Sequence, residues 1–238
     1  MSSLPVLFGS SFSHCEAITT TSSVRCHRRT DMSRFRTDEE LEDKARGLRR
    51  RLGLEHQQHI DMMTVLQKLK VENQSFGYLR VPDYQMPDAE GQWDSEKKTI
   101  RLRESVFQGM QAQHSRARMT VSHEIAHREL GHGGIRNRSL VKSASERFVS
   151  EVKREESEAK RFAARILAPA YLIQSSDTAE DIKSKFGLSL EAAAIRREEV
   201  NELDRRAAGR PKELPSVVVD FLREAKRRGH NIETDLGD

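Results

Sequence analysis

The sequence predicts an α+β protein that is mostly helical, with a small sheet packed on a helix that carries a metal-binding motif, and a helix-turn-helix-like unit towards the C-terminus. Three observations predict this class. Apolar residues recur at helical spacing through most of the 238 residues, two short stretches read as strands, and 33% of residues are charged whereas 5% are aromatic. No apolar run approaches the length that a membrane-spanning helix needs.

Two helices are predicted before the first strand. The first begins at a capping box formed by Thr37 and Glu40. Its apolar face comprises Leu41, Ala45, Leu48 and Leu52. The second helix follows Asp61, a favourable N-cap residue, and its apolar residues are Val65, Leu66 and Leu69.

A small sheet is predicted between residues 76 and 102. Residues 76–81 and 99–102 have strand character, residues 82–91 read as a loop, and residues 94–97 have turn chemistry. The strand at 99–102 is expected at the edge of the sheet, beside the metal-binding helix. An extended peptide could pair with such an edge by strand addition, although the pattern fits a purely structural strand equally well.

The motif His123-Glu124-Ile125-Ala126-His127 is the most informative feature of the chain. Apolar spacing places residues 119–130 on a half-buried helix that ends before Gly131. Residues four apart share a helical face, so the two imidazoles can bind one metal ion, and Glu124, ~100° round the helix, can address a water bound to that ion. Two histidines and a general-base glutamate are typical of a zinc hydrolase. The alternative is a polar helix with two exposed histidines.

A catalytic zinc ion needs a third protein ligand, and the acidic candidates are Glu155, Glu156 and Glu158. They belong to a predicted helix whose apolar stripe comprises Phe148, Val149, Val152, Ala159, Phe162, Ala163 and Ile166. Glu156 lies in that stripe, where a carboxylate is costly unless it is paired or bound to a metal, so ligation is favoured over a solvated charge run. His132 lies about 140° round the helix from His127, so we expect it outside the ligand set, either in contact with a ligand or at the surface.

With these segments the chain resembles the ImmA/IrrE family of zinc metallo-endopeptidases. Residues 118–127 with Leu130-Gly131-His132, and residues 156–169, carry the resemblance, which extends loosely over residues 32–203. It implies that Glu156 takes the place of the metal-binding glutamate. It also implies that the substrate is a helix-turn-helix transcriptional repressor, cleaved in a stress or mobile-element response. Lys160 departs from the family pattern, which usually has Asn or Asp at that position.

Residues 173–206 predict a helical unit with the outline of a helix-turn-helix. A helix from residue 178, a turn at Gly187 and an N-cap at Ser189 precede a helix over residues 190–203. Arg196 and Arg197 would lie on the second helix, where a DNA-binding protein contacts bases. The net charge is only +4 and basic residues are interleaved with Glu, so a packing module that supports a protease is favoured over direct DNA binding. Residues 207–238 are expected to form a basic linker, a short helix and a frayed end.

Residues 1–31 differ in composition from the remainder. They are rich in Ser and Thr and contain both cysteines, Cys15 and Cys26. We expect a disordered tail or a start codon assigned too far upstream, with an organelle transit segment as the less favoured alternative. Because the predicted catalytic region has no cysteine, a thiolate zinc site is excluded there, and the chain fits a reducing cytoplasm.

Two functional hypotheses follow. In the first, residues 32–172 form a zinc endopeptidase domain in which His123, His127 and Glu156 hold one zinc ion per chain and Glu124 is the general base. An additional oxyanion donor is expected, with Tyr171 and His132 as candidates. In the second, the chain is a transcriptional regulator that binds DNA or protein, and its zinc site is structural or slow. A fourth protein ligand would favour the second hypothesis.

Overall fold

The computed structural model describes residues 35–133, 146–210 and 216–230. Helices and a small sheet make up this part of the chain, which confirms the predicted α+β class. The helices are α1 Asp38–Arg51, α2 Met62–Glu72, α3 Glu104–Gln111, α4 Ser115–Leu130, α5 Glu146–Leu167, α6 Ala179–Phe186, α7 Leu190–Ala207 and α8 Ser216–Arg227. The strands are β1 Gly77–Val81, β2 Gly91–Asp94 and β3 Thr99–Arg103.

The first two helices begin at the caps that their sequences predict. Thr37 accepts a hydrogen bond from the Glu40 amide and the Glu40 carboxylate accepts one from the Thr37 amide, which closes the capping box of α1. The Asp61 carboxylate accepts from the amides of Met63 and Thr64 at the start of α2. The predicted apolar faces of both helices are buried in one core with residues of the sheet, α4, α5 and α6.

The sheet has the order β1-β3-β2, with β1 parallel and β2 antiparallel to β3. The expectation that residues 99–102 form an edge strand is therefore wrong, because β3 is paired on both sides. The strand at the edge beside α4 is β2, which was assigned mostly to a loop and a turn. Its four residues lack a clear alternating pattern, so the sequence of β2 alone does not indicate a strand. The strand forms because it pairs with β3 across the turn at residues 95–98.

Helices α4 and α5 pack against each other and form the framework of the site. Helix α4 ends at Gly131, which has φ of +71° and donates from its amide to the carbonyls of the last turn, as predicted for a C-terminal glycine. The small buried side chains Ala159 and Ala163 of α5 fit a close approach of neighbouring helices. The site is thus built on two packed helices rather than on loops.

The turn between α6 and α7 is fixed to the motif helix by a buried arginine. Arg118 of α4 donates to the carbonyls of Phe186 at 2.8 Å, Gly187 at 2.6 Å and Ile60 at 3.1 Å. Gly187 has φ of +66°, and a Cβ atom there would lie 2.0 Å from Arg118 Nη1 and 2.4 Å from His59 Cε1. Only glycine therefore suits both the backbone conformation and the close contact.

Helix α8 presents exposed apolar side chains, among them Val217 and Phe221. Within the three described ranges, no helix combines the length and the apolar character that crossing a bilayer would demand. The described residues from Phe35 onward belong to one compact unit. The boundaries proposed at residues 172 and 206 stay predictions, and the predicted tail at 1–31, with Cys15 and Cys26, lies outside the described residues, as do residues 211–215 and 231–238.

Candidate metal centre

The two motif histidines lie on one face of α4 and point at the same space. Their Nε2 atoms are 3.0 Å apart, and the two rings meet nearly at a right angle, with centroids 4.7 Å apart. His127 is almost fully buried, whereas His123 is half-buried, so one imidazole lies inside the protein and the other at the mouth of a cleft. The spacing of four residues produces this arrangement because it nearly completes one helical turn.

Glu156 of α5 completes a three-residue cluster with these histidines. One carboxylate oxygen lies 3.3 Å from His123 Nε2 and the other 3.4 Å from His127 Nε2. Burial acts to raise the pKa of Glu156, but hydrogen bonds from both imidazoles and their charges outweigh it and hold the pKa well below its usual range. The carboxylate therefore stays ionised, which is the form in which it binds metals.

The burial argument that singled out Glu156 was only partly right. Glu155 and Glu158 are both more deeply buried than Glu156, whose side chain is 26% exposed. Glu158 forms an ion pair with Arg36 and is directed away from the cluster. Glu156 meets the histidines because of its position on α5 opposite them, not because it is the most buried carboxylate of that helix.

The donor set fits a zinc ion. Tetrahedral ligands at ~2.0–2.2 Å from zinc are about 3.3–3.6 Å from one another. The separations of 3.0, 3.3 and 3.4 Å among these nitrogen and oxygen atoms are close to that spacing. Within the described residues the cluster consists of His123, His127 and Glu156 alone, which leaves a coordination position for water.

Glu124 lies beside the cluster without belonging to it. Its side chain is buried, and its carboxylate accepts a hydrogen bond from the backbone amide of Trp93 on β2. Burial raises the pKa of Glu124, against the opposing effect of the His123 and His127 imidazoles. A raised pKa makes the carboxylate a better proton acceptor.

Gly91 of β2 leaves the space that Glu124 occupies. A Cβ atom at position 91 would lie 2.8 Å from Glu124 Cγ, 3.2 Å from its Oε1 and 3.2 Å from Thr120 Cγ2. Any side chain there would displace the glutamate. Sequence reasoning missed Gly91 and Trp93 because their roles depend on β2 lying beside α4, and no motif marks that contact.

A cleft of about 610 Å³ opens onto the cluster. Its walls come from the segment before β2, from α4 and α5, and from the turn before α7 together with the start of α7, where Leu188, Ser189 and Ala192 line it. Lys160, one helical turn after Glu156, is exposed on the α5 side of the cleft. Its departure from the expected Asn or Asp therefore changes the cleft wall.

The two candidate oxyanion donors lie elsewhere. Tyr171 donates from its hydroxyl to the carbonyl of Glu55 at 2.8 Å, and Arg46 lies over its ring. His132 is buried behind His127, with the two Nδ1 atoms 3.0 Å apart. Neither residue lines the cleft. Of the two locations expected for His132, the structure places it in contact with a ligand candidate and not at the surface.

Two packed helices thus present a His-His-Glu donor set to a cleft, with a buried glutamate beside it, an arrangement that fits a metallopeptidase. Comparison with family models agrees: residues 85–198 match the peptidase M78 family, described as the IrrE N-terminal-like domain. This part of the chain is a domain of the ImmA/IrrE family. The match spans both helices of the site, α6 and the first half of α7. A comparison with curated proteins gave no match.

Proposed function

We propose that this chain is a zinc-dependent endopeptidase in which His123, His127 and Glu156 hold the metal and Glu124 is the general base. The observation that carries the proposal is the convergence of three donor atoms from two helices, all within 4.8 Å of one another, beside a buried fourth side chain that could act as a base. Family membership supports a metallopeptidase activity independently of that geometry.

Each part of the proposed hydrolysis is assigned to a particular group of the site. When bound, the zinc ion supplies a Lewis acid that polarises the scissile carbonyl and lowers the pKa of a coordinated water towards ~7. Glu124 accepts the proton of the attacking water and passes a proton to the leaving amine. The Trp93 amide holds the Glu124 carboxylate, and the space at Gly91 sets its position. Both groups therefore orient the base before substrate arrives.

The substrate is proposed to bind as an extended segment along the cleft. The edge of the sheet beside α4 is β2, and an extended peptide can add to a sheet edge. The substrate implied by the family resemblance is a helix-turn-helix transcriptional repressor, cleaved in a cytoplasmic stress or mobile-element response. A cleft that accepts an extended chain requires the cut segment of such a repressor to be a loop or to unfold locally.

The alternative, a DNA-binding regulator, has less support. Arg196, one of the two arginines expected to contact DNA, is 1% exposed, donates to the carbonyl of Ala168 at 2.7 Å and pairs with Glu42 and Glu199. The start of α7, which would enter the DNA groove in a helix-turn-helix protein, lines the cleft instead. These contacts favour a module that supports the active site.

Metal analysis of point variants tests the proposed ligands. Purified wild-type protein is expected to hold about one zinc ion per chain, and His123→Ala, His127→Ala and Glu156→Ala should each lose most of it. Glu155→Ala is the matched control, since it removes a neighbouring carboxylate of the same helix. If Glu155→Ala loses zinc while Glu156→Ala keeps it, the assignment of Glu156 is wrong.

A binding assay separates the two functions. The endopeptidase proposal expects cleavage of the repressor encoded beside the gene and no tight DNA binding. If wild type leaves that repressor intact and instead binds duplex DNA with a steep salt dependence, the regulator hypothesis replaces it.

A further inference from the structure

We infer that His132 and Glu158 position the metal-ligand ring of His127 through a buried relay that ends at Arg36. The inference rests on the proposed function, since it treats His127 as a ligand. It goes beyond that function because it assigns a role to two buried side chains that are not metal ligands, the His132 imidazole and the Glu158 carboxylate.

The first link joins the two imidazoles. His127 directs Nε2 at the cluster, and its Nδ1 lies 3.0 Å from His132 Nδ1. A neutral imidazole that binds metal through Nε2 carries its proton on Nδ1, so His127 donates and His132 accepts. His132 must then carry its own proton on Nε2. The contact therefore selects one tautomer for each ring.

The second link joins His132 to a carboxylate. His132 Nε2 lies 3.6 Å from Glu158 Oε2, too far for a good hydrogen bond but close enough for the carboxylate to attract the N–H edge of the ring. The two side chains are 3% and 1% exposed, so solvent screens this attraction only weakly. The carboxylate thus favours the tautomer that the first link requires.

The third link holds Glu158 itself. The Arg36 amide donates to Glu158 Oε1 at 3.0 Å, the Arg36 guanidinium pairs with Oε2, and the guanidinium also donates to the carbonyl of Leu130 at 2.9 Å. Arg36 therefore joins the carboxylate of α5 to the C-terminal end of α4. The charge of Glu158 is compensated, and its position is set relative to the helix that carries His127.

The local fold places His132 where the relay needs it. Gly131 adopts the left-handed conformation that ends α4, and the His132 amide donates to the carbonyl of His127 at 3.0 Å. This turn returns the chain towards the helix, so the His132 ring packs edge-on against His127 with centroids 5.0 Å apart. His132 therefore contacts His127, although it lies five positions further along the chain and a continuous helix would place it on a different face.

Zinc affinity in full-length protein tests the relay. His132→Leu removes the acceptor and should weaken zinc binding by about 10–100-fold, the usual effect of losing a partner of a ligating histidine. His132→Asn keeps an oxygen acceptor near the place of Nδ1 and should restore most of the affinity. Val65→Ala is the control for a general loss of stability. It opens a cavity in the buried face of α2, so it should lower the melting temperature without changing the zinc Kd. Chelator competition gives the Kd, and the visible absorption of the cobalt-substituted protein reports ligand geometry.

A second variant keeps the test decisive if His132→Leu folds poorly. Glu158→Gln should weaken zinc binding in the wild-type background but have little effect in the His132→Asn background, because Glu158 acts through the imidazole of His132. The relay is overturned if His132→Leu keeps the wild-type zinc Kd and cobalt spectrum, or if Glu158→Gln weakens zinc binding equally in the wild-type and His132→Asn backgrounds. If wild type binds no zinc, the proposed function fails first and the relay with it.

Discussion

Gly91→Ala is expected to impair catalysis while leaving the metal in place. The substitution adds one methyl group on β2, opposite the buried Glu124 of α4. Neither residue belongs to the ligand cluster, so zinc content should stay at the wild-type value. The variant therefore perturbs the position of the proposed base without removing it.

The expected magnitude follows from the distances. The new Cβ would lie 2.8 Å from Glu124 Cγ and 3.2 Å from its Oε1. Carbon atoms in contact prefer separations of ~3.5–4.0 Å, so Glu124 must move by about 1 Å. A misplacement of about 1 Å near the reacting atoms can cost about 100-fold in rate. Overpacking should also lower the free energy of unfolding by about 1–3 kcal/mol.

The assay compares kcat, KM, zinc content and stability for wild type, Gly91→Ala and Gly77→Ala. Gly77→Ala is the matched control, because Gly77 is also a strand glycine but lies on β1, the strand farthest from β2, where its added Cβ would meet Thr99 Oγ1 at 3.2 Å. We expect a fall in kcat for Gly91→Ala alone. A wild-type kcat in Gly91→Ala would refute the view that β2 positions Glu124.

Three further predictions concern stability. Deletion of residues 1–31 should leave melting temperature, zinc content and activity unchanged, because the Ser- and Thr-rich composition of this segment predicts disorder. A clear drop in melting temperature would contradict this. Arg118→Met should lower the free energy of unfolding by about 3–5 kcal/mol in urea titrations, because three carbonyls lose a charged donor, whereas Arg197→Met, an exposed control, should change it little. Hydrogen bonds from Arg50 and Arg46 lower the pKa of Glu55 from 4.5 to about 2, so its contribution is present above pH 4.5 and is lost as pH falls towards 2. Unfolding of wild type and Glu55→Gln across that range should show the difference narrowing; a constant difference would contradict it.

Local signals made much of the fold predictable. The capping box of α1, the N-caps of α2 and α7 and the left-handed glycines that end α4 and α6 are each specified by a few adjacent residues, and all appear where expected. Strand β2 and helix α3 were missed. Both are short, and β2 depends on pairing with β3 rather than on its own pattern.

The site shows the same division between local and long-range information. His123, Glu124 and His127 could be named because one helical turn relates them. Glu156 was favoured by its place in the apolar stripe and by the family resemblance, although Glu155 and Glu158 are the more deeply buried carboxylates of the helix. The contacts of Arg36 could not be predicted, because 122 positions along the chain separate it from the carboxylate it holds, and no local pattern relates residues that far apart.

Glu124→Gln provides the most direct test of the central claim that Glu124 serves as the base of a zinc endopeptidase. Gln keeps the size of the side chain and can accept the Trp93 amide hydrogen bond, so fold and zinc content should match wild type. Cleavage of the neighbouring repressor should fall by at least ~10²–10⁴-fold, because an amide cannot take up the proton of the attacking water. A variant that holds its zinc and cuts the repressor as fast as wild type would contradict the account.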